Sequence, residues 1–182
     1  NNKKIKFLYL GTTDGAYNFD KILLFIKNIE NKNLDFCLDI FSNDNKNRII
    51  NKIENFNLSQ KNISINSIKN SLISKIIKEY DFLIFYCKNN YSIKASMPTK
   101  ISEALLSGVP IICNEFNNDI IYYIRSYKIG ILTDFKSNNL DTLLNLIKNF
   151  KNDKSHLNRC RKVGKKYFSL DNAVNSLSNI YK

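Results

Sequence analysis

A lysine and a glutamate three residues apart, Lys100 and Glu103, are the side chains whose type and spacing best suit chemistry. They lie where Pro98 can begin a helix and Gly108 can end it. At positions i and i+3 they share one helix face, which Ser107 extends, close to the helix N-terminus. Such an N-terminus attracts phosphate, and a carboxylate can accept hydrogen bonds from ribose hydroxyls. The spacing alone fits a solvated ion pair equally well.

The hydrophobic pattern around this helix predicts strands that alternate with helices. Strands are expected over 5–10, 35–42, 63–65, 82–87, 109–113 and 130–133. Helices are expected over 18–31, 45–56, 67–80, 98–107, 118–127 and 140–150, with one or two more beyond 154. Alternation of this kind is typical of a parallel sheet with helices on both faces, and right-handed crossovers favour the order 3-2-1-4-5-6. We therefore predict one Rossmann-like α/β domain over residues 1–182, with a helical C-terminus.

Composition indicates a globular chain, since 43% of its 182 residues are hydrophobic. No apolar run approaches the ~20 residues of a membrane-spanning helix. The first apolar segment leads directly into a Gly loop, which predicts a first strand rather than a signal peptide, as if the chain began in mid-protein. The net charge of +12 suggests anionic partners, although surface lysines account for it more simply.

The cysteine and histidine content predicts neither a metal site nor a redox motif. The four cysteines lie far apart in sequence, and Cys37, Cys87 and Cys113 fall in predicted strands as small buried residues. Unpaired thiols suit a reducing cytoplasm. The single histidine, His156, is expected on a helix surface. We therefore expect no metal and no cofactor.

One segment of the chain resembles the nucleotide-sugar-binding motif of retaining GT-B glycosyltransferases: Pro98-x-Lys100-x-x-Glu103-Ala104-x-x-x-Gly108-x-Pro110-Ile111-Ile112. The opening FLYLGTTDGAYNFDKILLFI is similar to the start of the C-terminal domain of that family. Gly130-Ile131-Leu132 and the closing SLDNAVNSLSNIY resemble a later strand and the terminal helix. The resemblance therefore spans nearly the whole chain.

The resemblance implies a donor-binding domain for a UDP- or GDP-linked sugar. The diphosphate would lie against the central helix N-terminus and the first Gly loop, Glu103 would hold the ribose, and the base would stack near Ile68. The implied nucleotide-sugar-binding residues are Gly11, Thr12, Thr13, Ser67, Ile68, Ser96, Pro98, Thr99, Lys100 and Glu103. Of these, Lys100 and Glu103 are the catalytic candidates.

The chain departs from the family pattern at two places. Many members have a first glutamate eight positions before the second, and this chain has Ala95 there. Many also carry Arg and Lys in the first loop to clamp the diphosphate, where this chain has Thr12, Thr13, Ala16 and Tyr17. Phosphate charge would then fall mainly on Lys100 and backbone amides.

The resemblance further implies partners and a location. A separate N-terminal domain would supply acceptor contacts, so the isolated domain is expected to be inactive. The full enzyme would transfer a sugar with retention and without metal, to a glycan or lipid-linked saccharide of the cell envelope. It would be cytoplasmic. A basic helical run could rest on the inner face of the membrane, against the alternative of a solvated helix face: Arg159, Arg161, Lys162, Lys165 and Lys166.

Three other functions stay open at this point. A nucleotide-sugar 2-epimerase shares the GT-B architecture, but its acid and base residues are not identifiable here. The departures at Ala95 and in the first loop would suit a non-catalytic nucleotide-binding or interaction domain. A nucleic-acid-binding module would use the net positive charge, but the sequence has no RNP-like or zinc motif and no aromatics interleaved with its basic run. We expect no nucleic-acid partner.

Overall fold

The computed structural model describes residues 4–136 and 140–181. Within these residues six strands form one parallel sheet in the order β3-β2-β1-β4-β5-β6. The strands are β1 (Ile5–Leu10), β2 (Phe36–Phe41), β3 (Ile63–Asn66), β4 (Phe82–Ile84), β5 (Ile111–Cys113) and β6 (Gly130–Leu132). Both the predicted fold class and the predicted strand order are confirmed.

Helices connect successive strands, and many begin at an asparagine. They are α1 (Phe19–Asn31), α2 (Lys46–Asn55), α3 (Asn70–Ile76), α4 (Tyr91–Lys94), α5 (Thr99–Ser107), α6 (Asn118–Tyr127), α7 (Leu140–Asn152), α8 (His156–Phe168) and α9 (Leu170–Ile180). Side chains of Asn18, Asn45, Asn90 and Asn117 accept hydrogen bonds from first-turn amides of the helices that follow them. The abundant asparagine thus marks helix starts, because its side chain satisfies amides that lack a partner within the helix.

Two hydrophobic cores lie on opposite faces of the sheet. Along β1, Phe7 and Tyr9 belong to the core under α1, α2 and α7, whereas Leu8 and Leu10 belong to the core under α5, α6 and α8. Successive side chains of a strand point to opposite faces, so a strand covered on both sides is apolar throughout. The apolar run from Phe7 to Leu10 in β1 therefore reflects the central place of this strand in the sheet, whereas Lys6 near its start is exposed.

The segment after β4 differs from its predicted form. The prediction extended this strand to Cys87, but β4 ends at Ile84, and a short helix, α4, forms in the predicted loop. The Asn114 side chain accepts a hydrogen bond from the amide of Cys87 and donates one to its carbonyl, at 2.9 Å each. These bonds replace the ladder that a longer strand would make. Cys87 is buried as expected, but outside a strand.

Helix α5 is held on the sheet by α8, which approaches it closely at Gly164. A Cβ atom on Gly164 would lie 2.8 Å from the backbone nitrogen of Leu106 and 2.9 Å from the carbonyl carbon of Leu105. Real Cβ atoms do not come this close to backbone, so the two helices can pack at this distance only because residue 164 is glycine.

Gly164→Ala is expected to lower the free energy of unfolding by about 1–3 kcal/mol, because the added methyl group must push α8 away from α5. Chemical denaturation of the wild-type chain and the variant measures this difference. Lys165→Ala, at the next position on the exposed face of α8, is the matched control and should change stability little. Equal stability of Gly164→Ala and wild type would contradict the close packing.

The last helix leaves an apolar stripe in solvent. In α9, Leu170, Val174 and Leu177 are spaced at helical intervals and are each more than half exposed. Leu170 begins the helix directly after Ser169, whose side chain caps it.

Among the described residues, no helix is both long enough and apolar enough to cross a bilayer.

Candidate functional site

The N-terminus of α5 lies at the carboxyl edge of the sheet and has no side-chain cap. Pro98 occupies the N-cap position and cannot offer the hydrogen bond that an asparagine offers elsewhere in this fold. The next residue, Thr99, is exposed. The amide of Ile101 donates to the carbonyl of Pro98, whereas the amides of Thr99 and Lys100 have no acceptor among the described residues. These two amides can therefore bind an external acceptor, and the helix dipole favours an anionic one.

Lys100 is buried beside this N-terminus, with 7% of its surface exposed. Its Nζ donates a hydrogen bond to the carbonyl oxygen of Leu10, at the end of β1. A Cβ on Gly11 would lie 3.0 Å from Nζ, and Gly11 has a φ of +113°, which side chains rarely adopt. Gly11 therefore provides both the turn after β1 and the space for the ammonium group.

Burial lowers the pKa of Lys100 to about 8, whereas the neighbouring Cys87 and Glu103 act in the opposite direction. No ion pair of Lys100 with a carboxylate appears within 4 Å among the residues that the structure describes. A buried cation without a carboxylate partner is unfavourable in a folded protein. An anionic ligand at this position would relieve that cost.

Glu103 lies one turn after Thr99 on α5 and is half-buried. Burial raises the pKa of Glu103 above its usual value, and the nearby Lys100 partly offsets this effect. The two side chains are close enough to interact electrostatically without forming a contact ion pair in the described structure. Each is therefore available to a separate part of a ligand: a positive group for an anion and a carboxylate for hydroxyl donors.

A cavity of about 220 Å³ joins these residues to the ends of β1 and β2. Six of the residues expected from the sequence line it: Gly11, Thr12, Ile68, Thr99, Lys100 and Glu103. They come from the loop after β1, the segment before α3 and the first two turns of α5. The cavity thus lies where parallel α/β sheets commonly bind ligands, beyond the carboxyl ends of the strands.

Four expected residues lie outside the lining of this cavity. Thr13 is buried, and its backbone amide and hydroxyl both donate to Asp44, at 2.6 and 2.7 Å. The Ser96 hydroxyl donates to the carbonyl of Ile93. Ser67 lines an adjoining cavity that shares Ile68 and Asn70, and Pro98 acts at the helix cap.

The cavity also contains residues that the sequence did not single out. Ser42 and Asn43 follow β2, and Asn70 begins α3. The backbone amide of Gly11 donates to the carbonyl of Phe41, which brings the ends of β1 and β2 together. The predicted strand order placed these two ends side by side, so that order was the signal that could have identified Ser42 and Asn43 in advance.

A larger cavity, of about 600 Å³, lies at the outer edge of β6 between α6, α7 and α8. Its walls include Ile131, Leu146 and Phe150, and an ion pair between Glu115 and Arg125 crosses part of it. None of the residues that line it is a buried charged one, so we place the site at the cavity of about 220 Å³ beside Lys100. Among the described residues, no group of three or more His, Cys, Asp or Glu side chains could hold a metal ion.

Comparison with solved structures shows the same fold over nearly the whole chain. S. aureus TarM, solved as a mutant with fondaparinux, alpha-GlcNAc-glycerol and UDP, aligns with a TM-score of 0.71 at 14% identity, covering 98% of this chain and 36% of that one. The pneumococcal O-GlcNAc transferase GtfA, in complex with UDP and GlcNAc, gives 0.70 at 12% identity, covering 98% and 36%. The catalytic domain of cholesterol-alpha-glucosyltransferase from Helicobacter pylori gives 0.65 at 13%, covering 91% and 99%.

The chain spans 35% to 50% of the length of the first three solved structures that it matches. None of the curated proteins compared with the sequence matches it. The model of one protein family, described as "Glycosyl transferases group 1", matches residues 1–167 of the 182. The resemblance found in the sequence is thereby confirmed at the level of the family: this chain belongs to the glycosyl transferases of group 1.

Proposed function

We propose that this chain is the donor-binding domain of a glycosyltransferase that uses a UDP- or GDP-linked sugar. The observation that carries the proposal is the pairing of a buried lysine and a half-buried glutamate on the first turns of α5, lining one cavity. In this proposal Lys100 and the amides of Thr99 and Lys100 hold the diphosphate, and Glu103 holds the ribose. UDP in the solved complexes of TarM and GtfA supports a donor of this class.

The remaining lining residues are assigned by the element that carries each of them. The loop of Gly11 and Thr12 lies next to Lys100 and contributes backbone amides to the diphosphate. Ile68, from the segment before α3, also lines the cavity and would stack on the base. Thr13 supports this loop through Asp44 rather than touching the ligand.

Transfer with retention and without a metal is the mechanism we propose for the full enzyme. As the bond between sugar and diphosphate breaks, negative charge grows on the leaving group, and Lys100 and the helix N-terminus are already placed to stabilise it. Ala95 is exposed where many relatives have their first glutamate. Sugar contacts in this chain therefore fall to other groups.

The acceptor contacts are proposed to come from an N-terminal domain. The first solved structures matched are two to three times as long as this chain. The exposed stripe of Leu170, Val174 and Leu177 on α9 is then covered by that domain in the full protein. The isolated chain should bind the donor and transfer nothing.

A cytoplasmic location with peripheral membrane contact completes the proposal. All four cysteines are free, which suits a reducing compartment. On α8, Lys162 and Lys165 are exposed and available to anionic lipid, whereas Arg159 is bound to Asp153 and to the carbonyl of Lys128. The proposed acceptor is a glycan or lipid-linked saccharide of the cell envelope.

Calorimetric titration of the folded chain with UDP and with GDP tests the donor claim. We expect measurable, weak binding of one of the two, since the titrated sample does not contain the proposed N-terminal domain. A UDP-linked or GDP-linked sugar incubated with the chain alone should show no transfer. Absence of heat with both nucleotides, in a sample whose circular dichroism shows a folded α/β protein, would refute the donor site.

A non-catalytic nucleotide-binding domain is the second candidate function, favoured by Ala95 and by the lack of Arg and Lys in the first loop. This candidate also predicts binding of UDP or GDP, but it predicts that the full-length protein does not turn over the donor sugar. Hydrolysis of the donor sugar by the full-length protein, at a rate above that of buffer, would decide for the enzyme. Binding without any turnover by the full-length protein would decide for the second candidate.

A further inference from the structure

The ring of Tyr17 lies against the ammonium group of Lys100. The distance from Nζ to the ring centroid is 3.6 Å, whereas the rings of Tyr9 and Phe85 are 5.4 and 5.7 Å away. The negative face of an aromatic ring attracts a cation within about 6 Å. Together with the carbonyl of Leu10, this ring holds a cation that has no recorded carboxylate partner in the described part of the chain.

Tyr17 contacts Lys100 but is not part of the cavity wall. Lys100, Leu10 and Gly11 line the cavity at α5, but Tyr17 does not. The described structure records no hydrogen bond from the Tyr17 hydroxyl group, and burial raises the pKa of this hydroxyl, so it stays neutral. The ring rather than the hydroxyl therefore acts on Lys100.

The backbone around Tyr17 is fixed to the segment that follows β4. Tyr17 and Cys87 form an antiparallel bridge. The amide of Asn18 donates to the carbonyl of Tyr86, and the amide of Lys88 donates to the carbonyl of Ala16, both at 2.9 Å. The end of the first loop thus cannot move without moving Cys87.

Cys87 is in turn held by Asn114, which directly follows β5. The Asn114 side chain accepts from the amide of Cys87 and donates to its carbonyl, and only 6% of Asn114 is exposed. An amide side chain can satisfy both backbone groups of one residue, which no hydrophobic side chain of this size can do. A continuous set of contacts therefore runs from Asn114 through Cys87 and Tyr17 to Lys100.

We propose that Tyr17 is a positioning residue that holds the Lys100 ammonium at the cavity, and that Asn114 fixes Tyr17 through the backbone of Cys87. The first loop would then contribute the aromatic ring of Tyr17, which orients Lys100. This ring would stand where many relatives have a cationic side chain in the loop. This inference rests on the proposed function in one respect, that the ligand of Lys100 is a nucleoside diphosphate.

The binding test compares Tyr17→Phe, Tyr17→Leu and wild type by titration with UDP and with GDP. Tyr17→Phe keeps the ring and should bind within about twofold of wild type, whereas Tyr17→Leu should bind about tenfold more weakly. Tyr122→Leu removes an exposed tyrosine of α6 and serves as the matched control. Equal affinity of Tyr17→Leu and wild type would overturn the inference.

Asn114→Ala tests the second half of the proposal. It should weaken nucleotide binding by a similar factor, and the double variant Tyr17→Leu/Asn114→Ala should be little weaker than either single variant, because both changes release the same cation. Fully additive losses would mean that Asn114 acts on the ligand by a separate route, and would overturn its positioning role.

A ligand-free measurement separates this inference from the proposed function. A ring 3.6 Å from Nζ should shift the Lys100 ε-methylene proton resonances upfield, with their assignment made by their loss in Lys100→Met. The shift should persist in Tyr17→Phe and fall in Tyr17→Leu to the smaller contribution of the more distant Tyr9 and Phe85 rings. An unshifted Lys100 in the wild-type chain would overturn the inference even if a variant failed to fold. An upfield shift without binding of UDP or GDP would support the inference and refute the donor site.

Discussion

Lys100→Met is expected to bind a nucleoside diphosphate about 10–100-fold more weakly than the wild-type chain, because it removes a charge-assisted hydrogen bond to phosphate. Methionine has a similar length and volume, so the core around α5 should remain packed. Lys75→Met, on the exposed surface of α3, is the matched control and should leave nucleotide affinity unchanged. Unaltered affinity in Lys100→Met would remove Lys100 from the site.

The same variant is expected to be more stable than the wild-type chain at neutral pH. The lowering of the Lys100 pKa from 10.5 to about 8 corresponds to an unfavourable burial of the charged form on the order of 3 kcal/mol. Methionine avoids this cost but leaves the carbonyl of Leu10 without its donor. We expect a net gain of about 1–2 kcal/mol in the free energy of unfolding, measured by chemical denaturation.

The pH dependence of both effects follows from the direction of this pKa shift. Between pH 8 and 10.5 the unfolded chain binds a proton at Lys100 that the folded chain has lost, so this group makes the wild-type chain more stable as pH rises. The advantage of Lys100→Met should therefore be present below about pH 8 and shrink above it. Nucleotide affinity of the wild type should fall over the same range, since the neutral amine attracts phosphate weakly. A stability difference that stays constant from pH 7 to 10 would contradict the assignment.

Glu103→Gln is expected to remove the preference of the site for ribose. A carboxylate that accepts hydrogen bonds from two vicinal hydroxyls should favour UDP or GDP over the matching 2′-deoxynucleotide by about tenfold, given roughly 1.5–3 kcal/mol for a bond to a charged group. Glutamine keeps the size of the side chain but not its charge. We expect its affinity for the ribonucleotide to fall by about tenfold, to near that for the deoxynucleotide.

Titration of wild type and Glu103→Gln with both nucleotides measures this preference directly. Glu54→Gln on α2, where the native carboxylate accepts only from Gln60 among the recorded side-chain contacts of the described chain, is the matched control. If Glu103→Gln discriminated between ribose and deoxyribose as strongly as wild type, the ribose role would be wrong. If wild type itself did not discriminate, another group would have to hold the sugar hydroxyls.

The sheet and most helices could be predicted because burial on both faces leaves a continuous apolar pattern in the sequence. The strand Ile5–Leu10 was predicted with its observed bounds, as was the helix Asn118–Tyr127. The segment after β4 could not be predicted from pattern alone. The run from Phe82 to Cys87 is apolar throughout, but its last residues bond to Asn114 and to the first loop rather than to a neighbouring strand.

By itself, the sequence determined the fold and the motif that carries the proposed function, because both depend on local pattern and spacing. Pro98, Lys100 and Glu103 are close together in the chain, and a helix places them at one edge of the sheet. Only the tertiary structure decided the burial and the contacts of the Lys100 side chain. Spacing predicted that Lys100 shares a face with Glu103 and Ser107, but not that it is buried against Leu10 and Tyr17.

The physical reason is that burial and partners of a side chain depend on residues far away in sequence. Lys100 meets a carbonyl 90 residues earlier, and Asn114 holds Cys87 from 27 residues away. Contacts of this kind depend on how the strands pair, so a local sequence pattern does not predict them. The sequence motif thus identified Lys100 as a site residue, and the tertiary structure buries this side chain beside an open cavity.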